Sequence, residues 1–348
     1  PAAARARRRR IQPAPDHGLA LSLDGARGAD LVTAARPGAR RIGTGRADHA
    51  GEVAGATGVD VAGAGLAARA HAPDVRAGGH AERHPAHVGA GVHDARAGAS
   101  PADLQRICGA GWPARDTERL GDWALRAHGG ITGRANSAMA VGEPGCPLPE
   151  ALERVADWYA ARGLPPLLQL PLADPANLVL DDCGWTRQHV TIVQAAPIAP
   201  VLATLAQQPR RPDLRVQVAP GPDDDWLGLM HDLDPHDPGA HVAILTGPPV
   251  VGFATVRRRG QPIGIGRISV EGVWAGVTSV DVSPAARRGG IGTVVVQALL
   301  DWAAGQGAVA TYLQVRAVND AALRLYARLG YATHHPYTYR AQPSPPSP

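Results

Sequence analysis

The residues best suited to chemistry lie in a basic, glycine-rich segment between a predicted strand and a predicted helix. Ser279–Val282 reads as the strand, and it is followed by Ser283-Pro284-Ala285-Ala286-Arg287-Arg288-Gly289-Gly290-Ile291-Gly292. A helix is predicted to open at about Gly292. Free N–H groups and the positive dipole end at a helix start bind anions, and glycines let a phosphate approach the backbone. The order R-x-x-G-x-G is not a dinucleotide fingerprint, and the lack of any lysine excludes a P-loop.

A second candidate pair lies on the next predicted helix, which runs from Asn319 to Leu329 and ends at Gly330. Asn319 and Tyr326 are seven residues apart, which places them on one side of the helix roughly 10 Å apart along its axis. That separation suits an extended ligand arm. The alternative interpretation makes Asn319 a helix cap and Tyr326 a core aromatic.

A strand, R-x-x-G-x-G, a helix, a strand over Ala308–Val315 and then N-x-x-A-x-x-L-Y-x-x-L-G-Y together resemble the GNAT superfamily of acetyl-CoA-dependent N-acetyltransferases, over about residues 277–340. The resemblance implies an α/β fold of the α+β type, with a mixed central sheet flanked by helices. It also implies roles for individual residues. Main-chain groups of Val280 and Val282 would pair with pantetheine, Asn319 would contact the same arm, and Tyr326 would be the general acid. The pyrophosphate would be held by Arg287, Arg288, Gly289, Gly290, Ile291, Gly292 and Thr293.

The implied reaction is direct attack of a primary amine on acetyl-CoA in a ternary complex. The thiolate that leaves has a conjugate acid of pKa about 8.5, and a tyrosine of pKa about 10 can protonate it. No base is evident. Strand alternation places Trp274, Gly276 and Thr278 on the same face as Val280, and it places Asp281 on the opposite face. Glu271 lies in a predicted loop. A non-catalytic acyl-CoA-binding sensor or scaffold is therefore the alternative function.

Composition narrows the class of protein. The chain has 348 residues and a net charge of +4, but residues 1–100 carry 14 Arg against 9 acidic residues, so the rest is nearly neutral and nucleic acid is not an expected partner. Three separated cysteines, without a C-x-x-C pair, are typical of reduced thiols in a cytoplasmic protein. Neither a metal site nor a membrane span is predicted. The expected acceptor is a small-molecule or peptide amine, and the oligomeric state stays open.

Residues 1–105 form a compositionally distinct segment. The first hundred residues contain no Phe, Trp, Tyr, Met or Cys and are dominated by Ala, Gly, Arg and His. Two interpretations compete: a disordered basic tail, and a mistranslated segment from a reading-frame error that ends shortly before Gly111-Trp112-Pro113. The frame error is favoured because normal aromatic usage returns abruptly there. Residues 342–348 are expected to be a disordered Pro/Ser tail.

Residues 112–196 echo the catalytic half at an offset of 144 to 146 residues, which predicts two related units, 106–200 and 211–341. We call these the N-terminal and C-terminal repeats. The pattern resembles a tandem GNAT arrangement whose truncated first repeat is degenerate: its loop, Gly142–Pro147, contains Glu143 and no arginine, and Leu180 stands where Tyr326 would be. Arg134 and Asn136, between strands predicted at 122–127 and 138–141, are either loop structure or part of an acceptor site.

The start of the C-terminal repeat completes the expected order. Leu214–Val218 is predicted as a strand. Asp223-Asp224-Asp225 is predicted to begin a helix over Trp226–Leu233, because acidic residues suit a helix N-terminus. His241–Leu245 and Val250–Arg257 are predicted to form a hairpin.

Overall fold

The computed structural model describes residues 98–342, which belong to one compact unit. They contain one eleven-stranded sheet in the order β1-β2-β3-β4-β11-β5-β10-β9-β8-β7-β6. The strands are β1 Asp116–Leu120, β2 Trp123–Ala127, β3 Ala138–Met139, β4 Leu167–Pro171, β5 Thr186–Pro197, β6 Leu214–Ala219, β7 Val251–Arg258, β8 Gln261–Glu271, β9 Trp274–Val282, β10 Ala310–Arg316 and β11 Ala332–Ala341.

Helices cover both faces of this sheet. They are α1 Pro101–Ala110, α2 Leu148–Ala160, α3 Ala176–Asp182, α4 Ile198–Ala206, α5 Asp224–Leu229, α6 Pro238–Thr246, α7 Ile291–Gly305 and α8 Asp320–Arg328, with 3₁₀ turns at Gly133–Ala135 and Pro284–Ala286. The mixed sheet flanked by helices confirms the predicted fold class.

The largest core cluster lies between α7 and strands β7–β9. Val295, Val296 and Leu299 of α7 are completely buried there. A Cβ on Gly266 would stand 2.5 Å from a methyl carbon of Val295. The absence of a side chain at Gly266 therefore lets α7 lie directly on the sheet, which fixes the position of the helix N-terminus.

The two repeats have the same order of elements. In each, two parallel strands are joined through a helix: β3 and β4 through α2, and β9 and β10 through α7. A second helix and a long strand follow, α3 and β5 in one repeat and α8 and β11 in the other. β5 pairs with both β10 and β11, so one strand of the N-terminal repeat lies inside the sheet of the C-terminal repeat.

The hairpin prediction at 241–257 was wrong in its first strand. Residues 238–246 form helix α6, while Val251–Arg258 is the strand β7. Asp237 caps α6, because its Oδ1 accepts from the N–H of Ala240 at 2.9 Å, and Pro238 occupies the first turn. Asp followed by Pro is a helix start, and it decides the conformation of the apolar run that reads as a strand in isolation.

The proposed low-complexity boundary at residue 105 cuts through helix α1. Ser100 caps this helix by accepting from the N–H of Asp103, and Leu104, Gln105 and Cys108 are buried. Within the described residues, α1 therefore belongs to the folded core. The predictions for residues 1–97 and 343–348 lie outside the described residues.

Between residues 98 and 342, no helix combines the length and the hydropathy needed to cross a membrane. All three cysteines are free thiols: Cys108 is buried, Cys146 is half-buried and Cys183 is exposed.

Candidate active site

The central strands β9 and β10 separate along their length and open a cleft. Their parallel pairing runs over Ala310–Leu313 against Trp274–Val277, and among the described residues it goes no further. β9 nevertheless continues to Val282 and β10 to Arg316. The facing main-chain groups beyond Val277 and Leu313 are thus left without a strand partner, and a ligand in an extended conformation can pair with them.

Main-chain groups of Val280 and Val282 face this cleft. The N–H of Ser283 donates to the carbonyl of Ile263 at 3.0 Å, so Ser283 pairs toward β8. Successive residues of a strand direct their hydrogen-bonding groups to alternate edges, so Val282 and Val280 direct theirs toward β10. The carbonyl of Val282 accepts from Nε of Arg287 at 3.2 Å. The positions predicted to pair with pantetheine therefore lie at the open edge.

A bulge at Ser279 reverses the faces of β9. Ser279 has φ of +50°, and the pairing register with β8 shifts between Ile265 and Arg267. Val280 packs in the core cluster under α7, whereas Asp281 is paired with Ile265 and Thr278 with Arg267. Since Ile265 and Arg267 are two residues apart, Thr278 and Asp281 lie on the same face. The prediction that Asp281 faces away from Thr278, made from strict alternation, was wrong.

The loop after β9 presents an uncapped helix N-terminus. Gly290, with φ of +74°, precedes α7 and provides no side-chain cap. The hydroxyl of Thr293 donates to the carbonyl of Gly290 at 2.6 Å, so it does not accept from a main-chain N–H. The first N–H groups of α7 therefore have no side-chain cap and point out of the helix. Arg288 has φ of +62°, a left-handed conformation that costs free energy for a residue with a side chain. This arrangement suits a phosphate group.

A cleft of about 660 Å³ runs along this loop. Seven of the predicted site residues line it: Val282, Arg287, Arg288, Gly290, Ile291, Gly292 and Thr293. The predicted residues Val280, Gly289, Asn319 and Tyr326 are not among its lining residues. Gly289 is tied instead to the preceding segment, because its carbonyl accepts from Nη1 of Arg211 at 2.7 Å.

Sequence reasoning missed two sets of lining residues. Ala321, Leu325 and Arg328 of α8 line the cleft. These three positions follow the spacing i, i+4, i+7, so the helical periodicity contained the signal. Thr204 and Gln208, in and just after α4, line the opposite wall. They lie more than 70 residues before the loop, and no local pattern points to them.

Tyr326 and Asn319 occupy the two ends of α8. Tyr326 is buried and stacks edge-on against Tyr331, with ring centroids 5.6 Å apart. Burial raises the pKa of its hydroxyl above the usual range, so this hydroxyl keeps its proton at neutral pH. Asn319 is half-buried and caps the helix, because its Oδ1 accepts from the N–H of Ala322 at 3.1 Å. The cap accounts for one side-chain atom of Asn319 and leaves its amide N–H groups as donors.

Asp281 is a buried carboxylate beside the separated strands. Its Oδ2 accepts from the main-chain N–H of His231 at 3.2 Å. Burial is the main cause that raises its pKa to about 6, with Asp232 adding to the effect. A carboxylate with this pKa is ionised at neutral pH and close to the range in which it exchanges protons efficiently.

The N-terminal repeat contains a corresponding cleft of different chemistry. Its volume is about 410 Å³, and Glu143 and Asp174 supply its charged groups. Apolar side chains, Trp123, Leu168, Leu170 and Leu180 among them, form the rest of the wall, and no described arginine lines it. An anionic pyrophosphate would meet two carboxylates there, in contrast to the three arginines of the other cleft.

The geometry defines an N-acetyltransferase of the GNAT type: separated parallel strands, a basic loop at an uncapped helix start, and a tyrosine on the following helix. Residues 102–340 match the family model described as probable histone acetyltransferase Rv0428c C-terminal, and the chain belongs to this family.

Relatives and solved structures agree with this assignment. The chain is 26% identical over 245 residues to the uncharacterised N-acetyltransferase YobR of Bacillus subtilis, covering 68% of this chain and 96% of YobR. It is 27% identical over 246 residues to the probable histone acetyltransferase Rv0428c of Mycobacterium tuberculosis, covering 68% and 72%.

Two solved structures share the fold. A GCN5-related N-acetyltransferase from Kribbella flavida superimposes with a TM-score of 0.54 at 20% identity, covering 70% of this chain and 96% of that one. A tandem GNAT protein from the clavulanic acid biosynthesis pathway gives a TM-score of 0.50 at 13% identity, covering 71% and 90%. The mixed sheet with two GNAT-like repeats is therefore a known arrangement.

Proposed function

We propose that the C-terminal repeat transfers the acetyl group of acetyl-CoA to a primary amine by direct attack in a ternary complex. The observation that carries this proposal is the separation of β9 from β10 directly beside the uncapped start of α7. An extended pantetheine arm can pair with Val280 and Val282, while the pyrophosphate at its end meets the N–H groups that follow Gly290.

The charge of the cleft favours a pyrophosphate-containing ligand. Arg287, Arg288 and Arg328 line it, together with the uncapped N–H groups at the start of α7. Guanidinium groups form strong, charge-assisted hydrogen bonds with phosphate oxygens. The cleft in the N-terminal repeat has the opposite charge, so we assign acetyl-CoA to the C-terminal repeat.

Tyr326 is the proposed general acid. It keeps its proton at neutral pH, and none of the described residues accepts a hydrogen bond from its hydroxyl, so the proton is available to a leaving thiolate. The amine nitrogen attacks the thioester carbonyl, the C–S bond breaks, and the sulfur takes up the proton of Tyr326.

Asp281 is the proposed base, which the amino-acid sequence alone does not identify. The bulge at Ser279 turns this carboxylate to the face of Thr278, opposite to the face on which α7 packs. With its pKa raised to about 6, it accepts a proton from the ammonium group or from the attacking amine, directly or through water. A protonated tyrosine together with a poised carboxylate favours catalysis over the non-catalytic sensor.

The test compares Tyr326→Phe with Tyr331→Phe. Thiol release from acetyl-CoA is measured with a panel of amines, and the acetyl-CoA Kd is measured by calorimetry. We expect Tyr326→Phe to lower kcat on the order of 100-fold with little change in Kd, because only the proton donor is lost. Tyr331→Phe removes a hydroxyl that bonds Thr311 and should leave kcat within about threefold. Equal losses of kcat and affinity in Tyr326→Phe would mean that Tyr326 only packs.

A further inference from the structure

A turn of the N-terminal repeat is built rigidly around Asn136. Its Oδ1 accepts from the N–H groups of His128 at 2.7 Å and Gly130 at 2.8 Å, and its Nδ2 donates to the carbonyl of Thr132 at 2.8 Å. Asn136 therefore organises the loop, and in doing so it fixes the 3₁₀ turn Gly133–Ala135 that carries Arg134.

Arg134 is a buried cation whose hydrogen-bonding capacity is not used. Its side chain is about 93% buried, since its relative exposure is 7%. Its Nε and Nη1 have no hydrogen-bond partner among residues 98–342. The guanidinium lies over the ring of Trp112 at 4.0 Å, and Trp112 is held in turn by donating from Nε1 to Oγ1 of Thr132 at 3.0 Å.

A second buried guanidinium faces the same tryptophan from the C-terminal repeat. Arg267 is fully buried, and its guanidinium carbon lies 5.3 Å from the Trp112 ring centroid. It donates to the carbonyls of Leu245 and Gly111 and to the hydroxyl of Thr278. All three acceptors are neutral. Burial lowers the pKa of Arg267 to about 9, and none of these acceptors carries a negative charge that would offset the effect.

His241 adds one buried donor to the two unpaired nitrogen atoms of Arg134. Its Nδ1 accepts from the N–H of Asp234 at 3.1 Å, so in the neutral ring the proton is on Nε2. Burial and the charge of Arg134 lower the pKa of His241 to about 4, which keeps the ring neutral. Nε2 is buried and has no hydrogen-bond partner in the described part of the chain. Its ring centroid lies 6.1 Å from that of Trp112.

Buried donors without acceptors are costly, and a buried cation without a counter-charge is more so. Arg134, Arg267 and His241 surround one tryptophan. Arg134 and His241 have buried donors without acceptors, and the three acceptors of Arg267 are neutral. The chemistry that satisfies such a group is a carboxylate, which accepts up to four hydrogen bonds and neutralises a guanidinium. We call these three residues and Trp112 the cationic cluster.

The cationic cluster lies on the face of the sheet assigned to the acceptor. Arg267 bonds to Thr278 at 3.1 Å, and Thr278 shares its face with Asp281. An acceptor whose amine is bound at Asp281 would then have the cationic cluster on its own side of the sheet, where Arg134 offers unpaired donors to a negatively charged group.

We propose that the acceptor is a primary amine bearing a carboxylate several bonds from its nitrogen, and that Arg134 binds this carboxylate together with the unpaired donor of His241. The inference rests on the proposed function, because it names the acceptor class of the same site. Arg134 determines specificity and takes no part in the chemical step.

The first test uses two pairs of amines matched in length: pentylamine against 5-aminopentanoate, and hexylamine against 6-aminohexanoate. In the wild type, kcat/KM should be at least tenfold higher for the amino acids. Arg134→Gln should abolish this preference, Arg134→Lys should restore part of it, and Arg215→Gln on the exposed edge strand β6 should not alter it. A structural role for Arg134 would lower both members of each pair equally, and that result would overturn the proposal.

The second test does not depend on turnover. Binding of glutarate is measured by calorimetry in the wild type and in Arg134→Gln. Binding that is lost in the variant supports the carboxylate site even if no amine is acetylated, and in that case the proposed function is the part that fails. Acetylation of all four amines without preference, together with no Arg134-dependent glutarate binding, overturns the carboxylate site and leaves the proposed function intact.

Discussion

Thr278 and Asp281 lie on one face of β9 although they are three positions apart in sequence. The left-handed conformation of Ser279 accounts for this relationship, because it inserts one residue between the pairs that Thr278 and Asp281 make with β8. The same bulge turns Val280 into the core under α7. One backbone irregularity thus separates the residues proposed to hold the cofactor from those proposed to face the acceptor.

The first prediction concerns the helix start. Gly290→Glu should weaken acetyl-CoA binding at least 100-fold, because the new carboxylate would stand where the pyrophosphate is expected. Gly307→Glu is the matched control: Gly307 also has a left-handed φ, of +91°, a Cβ there would meet no atom within 4 Å, and it follows the other end of α7. Calorimetry with acetyl-CoA measures both. Similar affinities in the two variants would contradict the assignment.

The second prediction separates two arginines of α8. Arg328 lines the cleft, whereas Arg324 is exposed and pairs with Asp320 at 3.7 Å. Arg328→Ala should weaken acetyl-CoA binding about three- to tenfold and reduce its dependence on salt, because one phosphate contact is lost. Arg324→Ala should leave the Kd unchanged. The comparison fails if the two alanine variants respond to salt in the same way.

The third prediction concerns the acidic limb of the pH profile. Asp281 must be ionised to accept a proton, so kcat/KM of the wild type should fall as the pH drops through about 6. Asp281→Asn should lower kcat on the order of 100-fold and remove this limb. Asp301→Asn is the control, since burial also raises the pKa of Asp301, which lies on α7 away from the acceptor face. An unchanged limb in Asp281→Asn would exclude Asp281 as the base.

The fourth prediction concerns stability at low pH. His335 is buried and its Nε2 lies 2.8 Å from Nε2 of Gln105, whose Oε1 accepts from Gln169. The ring must therefore accept at Nε2, which requires the neutral form, and burial lowers its pKa to about 4. A depressed histidine pKa stabilises the fold above the unfolded value of about 6.5, and this contribution is lost as the pH falls toward 4.

His335→Gln should flatten the decline in Tm between pH 6.5 and 4, while His236→Gln, at an exposed position, should follow the wild type. Thermal melts at a series of pH values measure both. A Tm profile of His335→Gln parallel to that of the wild type would contradict the assignment of this titration to His335.

Sequence patterns predicted the features that depend on local chemistry. The order of glycines and arginines before α7 and the helix from Asn319 to Arg328 are encoded within a few residues, so the loop and the position of Tyr326 could be inferred directly. The bulge at Ser279 could not, because serine has no marked preference for positive φ and the cause lies in the pairing with β8. Thr204 and Gln208 reach the cleft only through tertiary packing. Tertiary packing also brings Arg134 and Arg267 to the same tryptophan, Trp112.

The insertion of β5 between β10 and β11 makes the two repeats mechanically dependent on each other. The C-terminal repeat carries the candidate chemistry, yet its sheet is continuous only with a strand from its degenerate partner. Displacing β5 would leave β10 and β11 each without a hydrogen-bonded neighbour on that side, although β5 supplies none of the proposed reacting groups. The first repeat is therefore a mechanical support for the candidate active site of the second.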